Sequence, residues 1–265
     1  MPLNIILGKN YKWWYLFIYG FKSGTAYNLS NLFWVVSEMI TVLGVILVWF
    51  INKNEVYSLS EVMTYFIIGQ MFLLGNHAIT QKMVDDISTG KITSKLLLPS
   101  NLFLQYIIRD LGYSLYSRIV SFFVYFLVAI IFQKYIILPQ NLTDFTLFYF
   151  FVIISFWITS FIELALGSLT FFSPEIWSLI DSLRAIFRFA SGGVLPLNIL
   201  SFTLFLTLLP FSFTFYHPMQ MYLGKLEPSS IFNLILGGLI WAVIILIIAI
   251  KVFKLGLKRN ESVGL

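Results

Sequence analysis

The feature that most constrains this 265-residue chain is a series of long apolar runs, each near the length that a helix needs to cross a membrane. A helix crosses the hydrocarbon core, about 30 Å thick, in roughly 20 residues. Charged residues make up only 11% of the chain, whereas soluble domains carry about 25% because their surfaces face water. The pattern therefore predicts an all-α integral membrane protein.

Six transmembrane helices are predicted, within one transmembrane domain that covers residues 1–265. Five of them are placed by their apolar runs, at 31–51, 61–80, 117–133, 145–169 and 231–250. The third span follows an amphipathic stretch that begins after Pro99, where Ser100 is suited to an N-cap. An even number of spans leaves both termini on the same side of the membrane.

The position of the fifth span has two solutions. Either 175–195 crosses the membrane and the following segment returns as a re-entrant hairpin, or 175–195 lies on the cytoplasmic surface and 194–216 crosses. The second segment is more apolar, and hydropathy alone favours it, but Pro196 and Pro210 interrupt it. Both solutions give six crossings.

Residues 11–22 are too short to span a membrane but are amphipathic at helical periodicity. Lys12 and Lys22 fall on one face, whereas Trp14 and Phe21 fall on the other. This pattern predicts an interfacial helix in the headgroup plane, within a cytoplasmic segment that covers residues 1–30. The alternative is that these residues begin a longer first span.

The basic residues are distributed very unequally between the two sides of the predicted spans. With a cytoplasmic N-terminus, the inner side carries Lys9, Lys12, Lys22, Lys82, Lys91, Lys95, Arg109, Arg118, Arg184, Arg188, Lys251, Lys254, Lys258 and Arg259. The outer side carries Lys53, Lys134 and Lys225. Because basic loops stay in the cytoplasm, both termini are predicted to be cytoplasmic. The net charge of +5 thus sets topology, and no nucleic-acid partner is predicted.

The chain carries no motif of a self-sufficient enzyme. It lacks the Gly-x-x-x-x-Gly-Lys-Ser/Thr loop that holds nucleotide phosphates in ATPases. It contains no cysteine, and His77 and His217 lack partners at the spacing of metal ligands. No metal site and no bound cofactor are therefore predicted for this chain.

Charged residues inside the predicted spans are the strongest candidates for a site. Glu38 lies in the first span and Glu163 in the fourth, where a carboxylate must face protein or water. The two interpretations are a substrate or proton pathway and a structural contact within the helix bundle. On 175–195, a polar stripe contains Asp181, Arg184 and Arg188. Asp181 is placed to pair with Arg184, which leaves Glu163 as a candidate partner for Arg188.

Two segments resemble a known family. The residues from Asp85 to Ser100, including Gly90 and the Leu98-Pro99 pair, resemble the cytoplasmic loop of ATP-binding-cassette (ABC) export permeases of the second export class. The residues from Phe187 to Lys225 resemble the end of a six-span subfamily of these permeases. One departure is Ala26-Tyr27-Asn28, where the subfamily carries an aromatic residue and an arginine.

The resemblance implies a permease that works with separate ABC ATPase subunits, which hold ATP and magnesium, and with a second permease chain, identical or related. It implies a multi-pass protein of the bacterial inner membrane, surrounded by lipids, that exports an amphipathic, peptide, lipid-like or drug-like substrate. The resemblance implies that segment 81–100 is the coupling loop that docks on the ATPase and that the interfacial helix is a second ATPase contact. The implied coupling residues are Asp85, Asp86, Gly90, Lys91, Leu98 and Pro99.

The resemblance also makes 196–228 an outer re-entrant region, which favours 175–195 as the fifth span. The polar stripe of this span is then expected to face the partner subunit or the pathway. Two other functions compete with this one. A secondary transporter would use Glu38 or Glu163, but the internal repeat typical of such proteins is not found. An intramembrane enzyme acting on lipids would need more clustered polar groups than Asp85-Asp86.

Overall fold

The computed structural model of the chain describes residues 11–26, 28–52, 57–73, 77–97, 100–139, 141–173 and 176–263. These residues form helices and turns and no β-strand, which confirms the predicted all-α class. The α-helices are α1 (Tyr11–Ala26), α2 (Asn28–Asn52), α3 (Leu59–Leu73), α4 (Ile79–Ser88), α5 (Lys91–Leu96), α6 (Leu102–Ile131), α7 (Leu142–Ser168), α8 (Trp177–Ala190), α9 (Thr203–Leu208), α10 (Tyr216–Tyr222) and α11 (Pro228–Val263).

Four helices in the described part of the chain are long and apolar enough to cross a membrane. They cover Leu29–Ile51, Leu102–Ile131, Leu142–Phe171 and Pro228–Arg259. They coincide with the predicted first, third, fourth and last spans. In each of them most residues remain accessible on the isolated chain, as expected for helices whose outer faces are covered by lipid rather than by protein.

The predicted second span, 61–80, is divided between two helices. α3 has 15 residues, which gives it a length of about 22 Å, and Thr80 already belongs to α4. Within α3, Tyr65, Phe66 and Ile67 are fully buried. A helix that is apolar on all sides packs inside a bundle, so α3 is the central helix of the described structure.

The fifth predicted span corresponds to the 14-residue helix α8, and the alternative, 194–216, is not a continuous helix. Residues 197–199 and 210–214 are 3₁₀ turns, with the six-residue helix α9 between them. The two prolines explain this, since Pro196 precedes the first turn and Pro210 begins the second. The segment folds back on itself rather than forming one long helix.

Contacts between residues far apart in the sequence identify the two ends of the bundle. At one end, where α4 and α5 form a helical hairpin and which is called the hairpin end below, Phe253 of α11 packs against Phe103 near the start of α6 and against Phe171 just after α7. Towards the opposite end, Trp241 in the first half of α11 donates a hydrogen bond to the carbonyl of Leu208 at 2.9 Å. α7 and α11 therefore both end at the hairpin end and run parallel to each other, whereas α6 begins there and runs antiparallel to both.

A polar network closes the opposite end around the start of α3. The hydroxyl of Tyr57 donates to Asn198 Oδ1 at 2.8 Å and accepts from Gln220 Nε2 at 2.7 Å. Lys225 pairs with Glu61 at 2.7 Å and lies over the Tyr57 ring. These contacts attach the folded-back segment before α11 to α3.

α1 packs against the first half of α6 with almost no space between the two backbones. A Cβ atom on Gly20 would lie 2.0 Å from the carbonyl oxygen of Arg109, and one on Gly112 would lie 2.0 Å from that of Phe17. Small residues at such crossings allow close backbone contact between helices. Part of the predicted apolar face of α1 is therefore covered by protein, whereas Trp14 remains 55% exposed.

The N-cap of α6 is Asn101 rather than the predicted Ser100. The Asn101 side chain accepts hydrogen bonds from the backbone N–H groups of Phe103 and Leu104. The hydroxyl of Ser100 instead accepts a hydrogen bond from Gln105 Nε2 at 2.8 Å. Both residue types are good N-caps, so composition alone does not choose between adjacent candidates.

Candidate functional site

α4 and α5 form a short helical hairpin, residues 79–96, that turns at Gly90. Gly90 has φ +70°, and a Cβ atom there would meet nothing within 4 Å. A positive φ is typical of a glycine just after the C-terminus of a helix, here that of α4. The turn and its flanks, including Lys91, are exposed. Leu97, just after α5, is 83% exposed.

Asp86 is the buried anchor of this hairpin, with 1% of its surface exposed. It pairs with Lys95 of α5 and accepts a hydrogen bond from the Tyr106 hydroxyl of α6 at 2.9 Å. Burial lowers the pKa of Lys95 despite this partner, and the nearby charges of Arg109 and Lys82 act in the same direction. Asp86 thus holds the two hairpin helices against α6.

The other predicted coupling residues differ in their settings. Asp85 and Lys91 are exposed to solvent and available to a partner. Leu98 and Pro99 lie outside the described residues. The hairpin therefore separates into an internal anchor, Asp86, and an accessible surface that comprises Asp85 and, except for the buried Ile92, the residues from Ser88 to Leu97.

Glu163 of α7 joins the hairpin to α8. The Thr80 hydroxyl of α4 lies 2.7 Å from the Glu163 carbonyl oxygen and 2.5 Å from Oε2. On the other side, Arg184 of α8 donates to both carboxylate oxygens, from Nε at 3.0 Å and from Nη2 at 2.6 Å. Arg184 also contacts Asp181 at 3.4 Å, as predicted from their spacing. One carboxylate thereby connects three helices.

Arg188 pairs with Glu38 of α2, and the predicted partner, Glu163, was wrong. Its Nη1 donates to Glu38 Oε1 at 2.9 Å, and its Nη2 contacts Oε2. The two arginines are one helical turn apart, so they reach different neighbouring helices at successive levels. Glu163 is already engaged by Arg184 and Thr80. The polar stripe of α8 is thus directed at α2 and α7 of the same chain, while Ile186 on its other side is 59% exposed.

The sequence does not predict a second buried pair. His77 Nδ1 and Asp110 Oδ2 are 2.8 Å apart, and Asp110 Oδ1 accepts a hydrogen bond from the backbone N–H of Ala78 at 2.7 Å. Ala78 is the N-cap of α4, so Asp110 supplies from α6 the acceptor that the cap lacks locally. No local signal connects residues 33 positions apart.

The described residues contain no group of three or more His, Asp or Glu side chains that could hold a metal ion. His77 is engaged by Asp110, and His217 Nε2 lies 3.0 Å from the carbonyl oxygen of Thr207. Among the described residues, most of the ion pairs join two different helices or a helix and a neighbouring loop. Such pairs position helices and, where helices move, transmit that movement.

Comparison with known proteins agrees with this arrangement. The profile of the family described as ABC-2 family transporter protein matches residues 34–264. A search of curated proteins finds no match. The matched region contains most of the first candidate span, the other three candidate spans, the hairpin and both arginine–carboxylate pairs. This multi-pass membrane protein belongs to the ABC-2 family of transporter proteins.

Proposed function

We propose that this chain is the permease subunit of an ATP-driven exporter, energised by separate ABC ATPase subunits and paired with a second permease chain. The observation that carries the proposal is the continuous contact from the exposed hairpin through Thr80 and Glu163 to Arg184. ABC-2 permeases are membrane components without a nucleotide-binding domain of their own. ATP and magnesium would accordingly bind to the partner ATPase, and this chain would carry no catalytic residue.

The proposed topology has six crossings, made by α2, α3, α6, α7, α8 and α11. α1 would lie at the cytoplasmic interface, and residues 196–228 would form the outer re-entrant region. The two-ended arrangement supports this topology, because the hairpin end carries Lys82, Lys91, Lys95 and the basic residues that end α11. The cytoplasmic side would then be the hairpin end. In this scheme the protein lies in the bacterial inner membrane with both termini inside.

The hairpin is proposed to dock in a groove of the ATPase. Its accessible surface offers Asp85 and Lys91 as charged contacts and Leu97 as an apolar anchor. The adjacent Leu96, 39% exposed, extends the apolar contact that Leu97 offers. Asp86, fixed to Lys95 and Tyr106, makes the hairpin stiff enough to transmit a displacement.

The movement would pass from the hairpin to the helices that contact α8. Thr80 lies in the first turn of α4, so a displacement of the hairpin acts directly on the Glu163 carboxylate. Arg184 then carries it to α8, and Arg188 carries it to Glu38 on α2. A route of this kind requires that its ion pairs have two arrangements during the transport cycle.

The alternative of a proton-driven transporter has less support. It requires Glu38 or Glu163 to gain and lose a proton. Each carboxylate already receives two contacts from an arginine of α8, so both residues act as links between helices. The sequence also lacks the internal repeat that is typical of secondary transporters.

An apolar groove supports an amphipathic substrate. It has a volume of about 370 Å³, lies between α3, α6 and α7, and is lined by aromatic side chains including Phe72, Phe122 and Phe156. The lining of the groove includes one charged residue, Arg118, whose guanidinium lies 4.9 Å from the centre of the Phe156 ring. Apolar walls with one positive charge suit a molecule with an apolar body and a negative or polar group.

Purification in mild detergent from the native membrane, followed by mass spectrometry of all bound subunits, tests this proposal. An ATPase subunit without membrane spans is expected in stoichiometric amount with the chain. Replacement of Lys91 and Leu97 by alanine is expected to release it, whereas replacement of Leu138, 74% exposed at the opposite end, is not. A complex without any ATPase would contradict the proposal.

A further inference from the structure

A cleft of about 550 Å³ lies at the hairpin end, between α1, the first turns of α4 and the first half of α6. Each of these helices contributes one basic side chain to its lining: Lys22 from α1, Lys82 from α4 and Arg109 from α6. We refer to it as the basic cleft. Its volume falls within the roughly 300–1,000 Å³ typical of sites for small molecules.

The three cations of the basic cleft are not neutralised by the surrounding protein. Among the described residues, none of them forms an ion pair with a carboxylate. Arg109 lies over the Tyr19 ring at 4.5 Å. The lining also contains two carboxylates: Asp110, which is engaged by His77 and the α4 N-cap, and Asp85, which forms no ion pair with the three cations. The cleft therefore has an excess of positive charge.

The position of the basic cleft indicates the source of its ligand. One wall is α1, whose Trp14, Tyr15 and Tyr19 are 55%, 59% and 46% exposed. Tryptophan and tyrosine concentrate at the level of lipid headgroups. In the proposed topology, the cleft therefore lies at the headgroup level of the cytoplasmic leaflet, and this step rests on the proposed function.

We propose that the basic cleft binds the phosphate headgroup of an anionic phospholipid, with Lys22, Lys82 and Arg109 as its contacts. Arginine and lysine are the side chains that bind phosphate groups best. The face of α4 that lines the cleft, from Ala78 to Asp85, precedes the exposed tip at Gly90, where the ATPase is proposed to dock. A lipid therefore fits this cleft better than an acidic surface of the ATPase.

The bound headgroup would connect α1 to the hairpin, because its contacts come from both. Anionic lipid would thus stiffen the cytoplasmic end of the permease. Neutralising one basic residue is expected to weaken binding of the lipid by about fivefold, the effect of one lysine or arginine at an anionic surface.

Native mass spectrometry of the purified chain, mixed with equal amounts of phosphatidylglycerol and phosphatidylcholine, tests the proposal. The variants Lys22→Gln and Lys82→Gln remove one cation each without removing an ion pair, and Lys251→Gln on α11 is the charge-matched control. We expect wild type and K251Q to retain phosphatidylglycerol in preference to phosphatidylcholine. In K22Q and K82Q the ratio of retained phosphatidylglycerol to phosphatidylcholine is expected to be about fivefold lower. Circular dichroism verifies that the variants are folded.

Three outcomes would overturn the inference. Equal retention of phosphatidylglycerol by K22Q, K82Q and wild type would exclude the cleft as the lipid site. If inorganic phosphate alone stabilised the protein and phosphatidylglycerol had no further effect, the basic cleft would be a site for a soluble anion. If K22Q and K82Q bound lipid normally but lost the ATPase on purification, the basic cleft would be a contact with the ATPase. Because lipid binding is measured on the permease alone, this experiment tests the lipid site separately from the proposed transport function.

Discussion

Arg184 of α8 and Glu163 of α7 form a two-pronged ion pair, with Nε 3.0 Å from Oε1 and Nη2 2.6 Å from Oε2. Because Thr80 contacts the same carboxylate from α4, this pair is a point at which the hairpin meets both α7 and α8. Its geometry explains why a carboxylate is tolerated in an apolar helix, since Glu163 is 9% exposed but fully engaged.

The first prediction concerns this pair. Replacing Arg184 by glutamine leaves the Glu163 carboxylate without its main partner, and we expect the free energy of unfolding to fall by about 1–3 kcal/mol. The effect is smaller than for a fully buried pair because the Arg184 side chain is 34% exposed. Thermal unfolding in detergent measures it, and Asp181→Asn is the control, since Asp181 is 69% exposed. Equal stability of R184Q and wild type would contradict the assigned role.

The second prediction concerns the contact between α1 and α6. Alanine at Gly20 or Gly112 places a methyl group against a backbone carbonyl, and we expect each substitution to cost about 1–3 kcal/mol. Gly44→Ala is the matched control, because a Cβ atom there meets nothing within 4 Å. Thermal unfolding and limited proteolysis within residues 11–26 provide the measurement. The packing is misassigned if G20A and G44A behave alike.

The third prediction separates the anchor of the hairpin from its surface. Asp86→Ala removes the partner of Lys95 and Tyr106, so we expect a loss of about 1–3 kcal/mol in stability. Asp85→Ala and Lys91→Ala alter exposed side chains and are expected to leave stability unchanged while weakening ATPase association. Unfolding curves and co-purification distinguish these effects. A stable Asp86→Ala variant would show that the hairpin does not depend on its internal ion pair.

The sequence predicts the membrane spans of this structure better than it predicts the contacts between the helices. Long apolar runs predict spans reliably because only a helix satisfies its backbone in hydrocarbon. The contacts between two helices depend on how each helix is rotated about its axis and on how deep it lies in the membrane, and the periodicity of one helix determines neither. The sequence therefore predicts Glu163 as a partner of Arg188, although Arg188 contacts Glu38. For the same reason the contact of Asp110 with His77 left no pattern in the sequence.

The fourth prediction concerns topology. Because the chain contains no cysteine, single cysteines report accessibility without background. In intact cells, cysteines at Ser88 and Ser178 are expected to be shielded from a membrane-impermeant thiol reagent, whereas those at Lys134 and Ser201 are expected to react. Permeabilised cells provide the control. Labelling at Ser178, or protection at Ser201, would mean that α8 does not cross the membrane.

The central claim is that the hairpin docks on a separate ATPase, and photocrosslinking from the hairpin tests it most directly. A benzophenone amino acid at Leu97, 83% exposed, is compared with one at Leu138, 74% exposed at the opposite end. Crosslinking is carried out in the native membrane, and the products are identified by mass spectrometry. The account predicts a crosslink to the ATPase subunit from Leu97 and none from Leu138. An inserted protein that yields no ATPase crosslink from Leu97, or an equal one from Leu138, would contradict it.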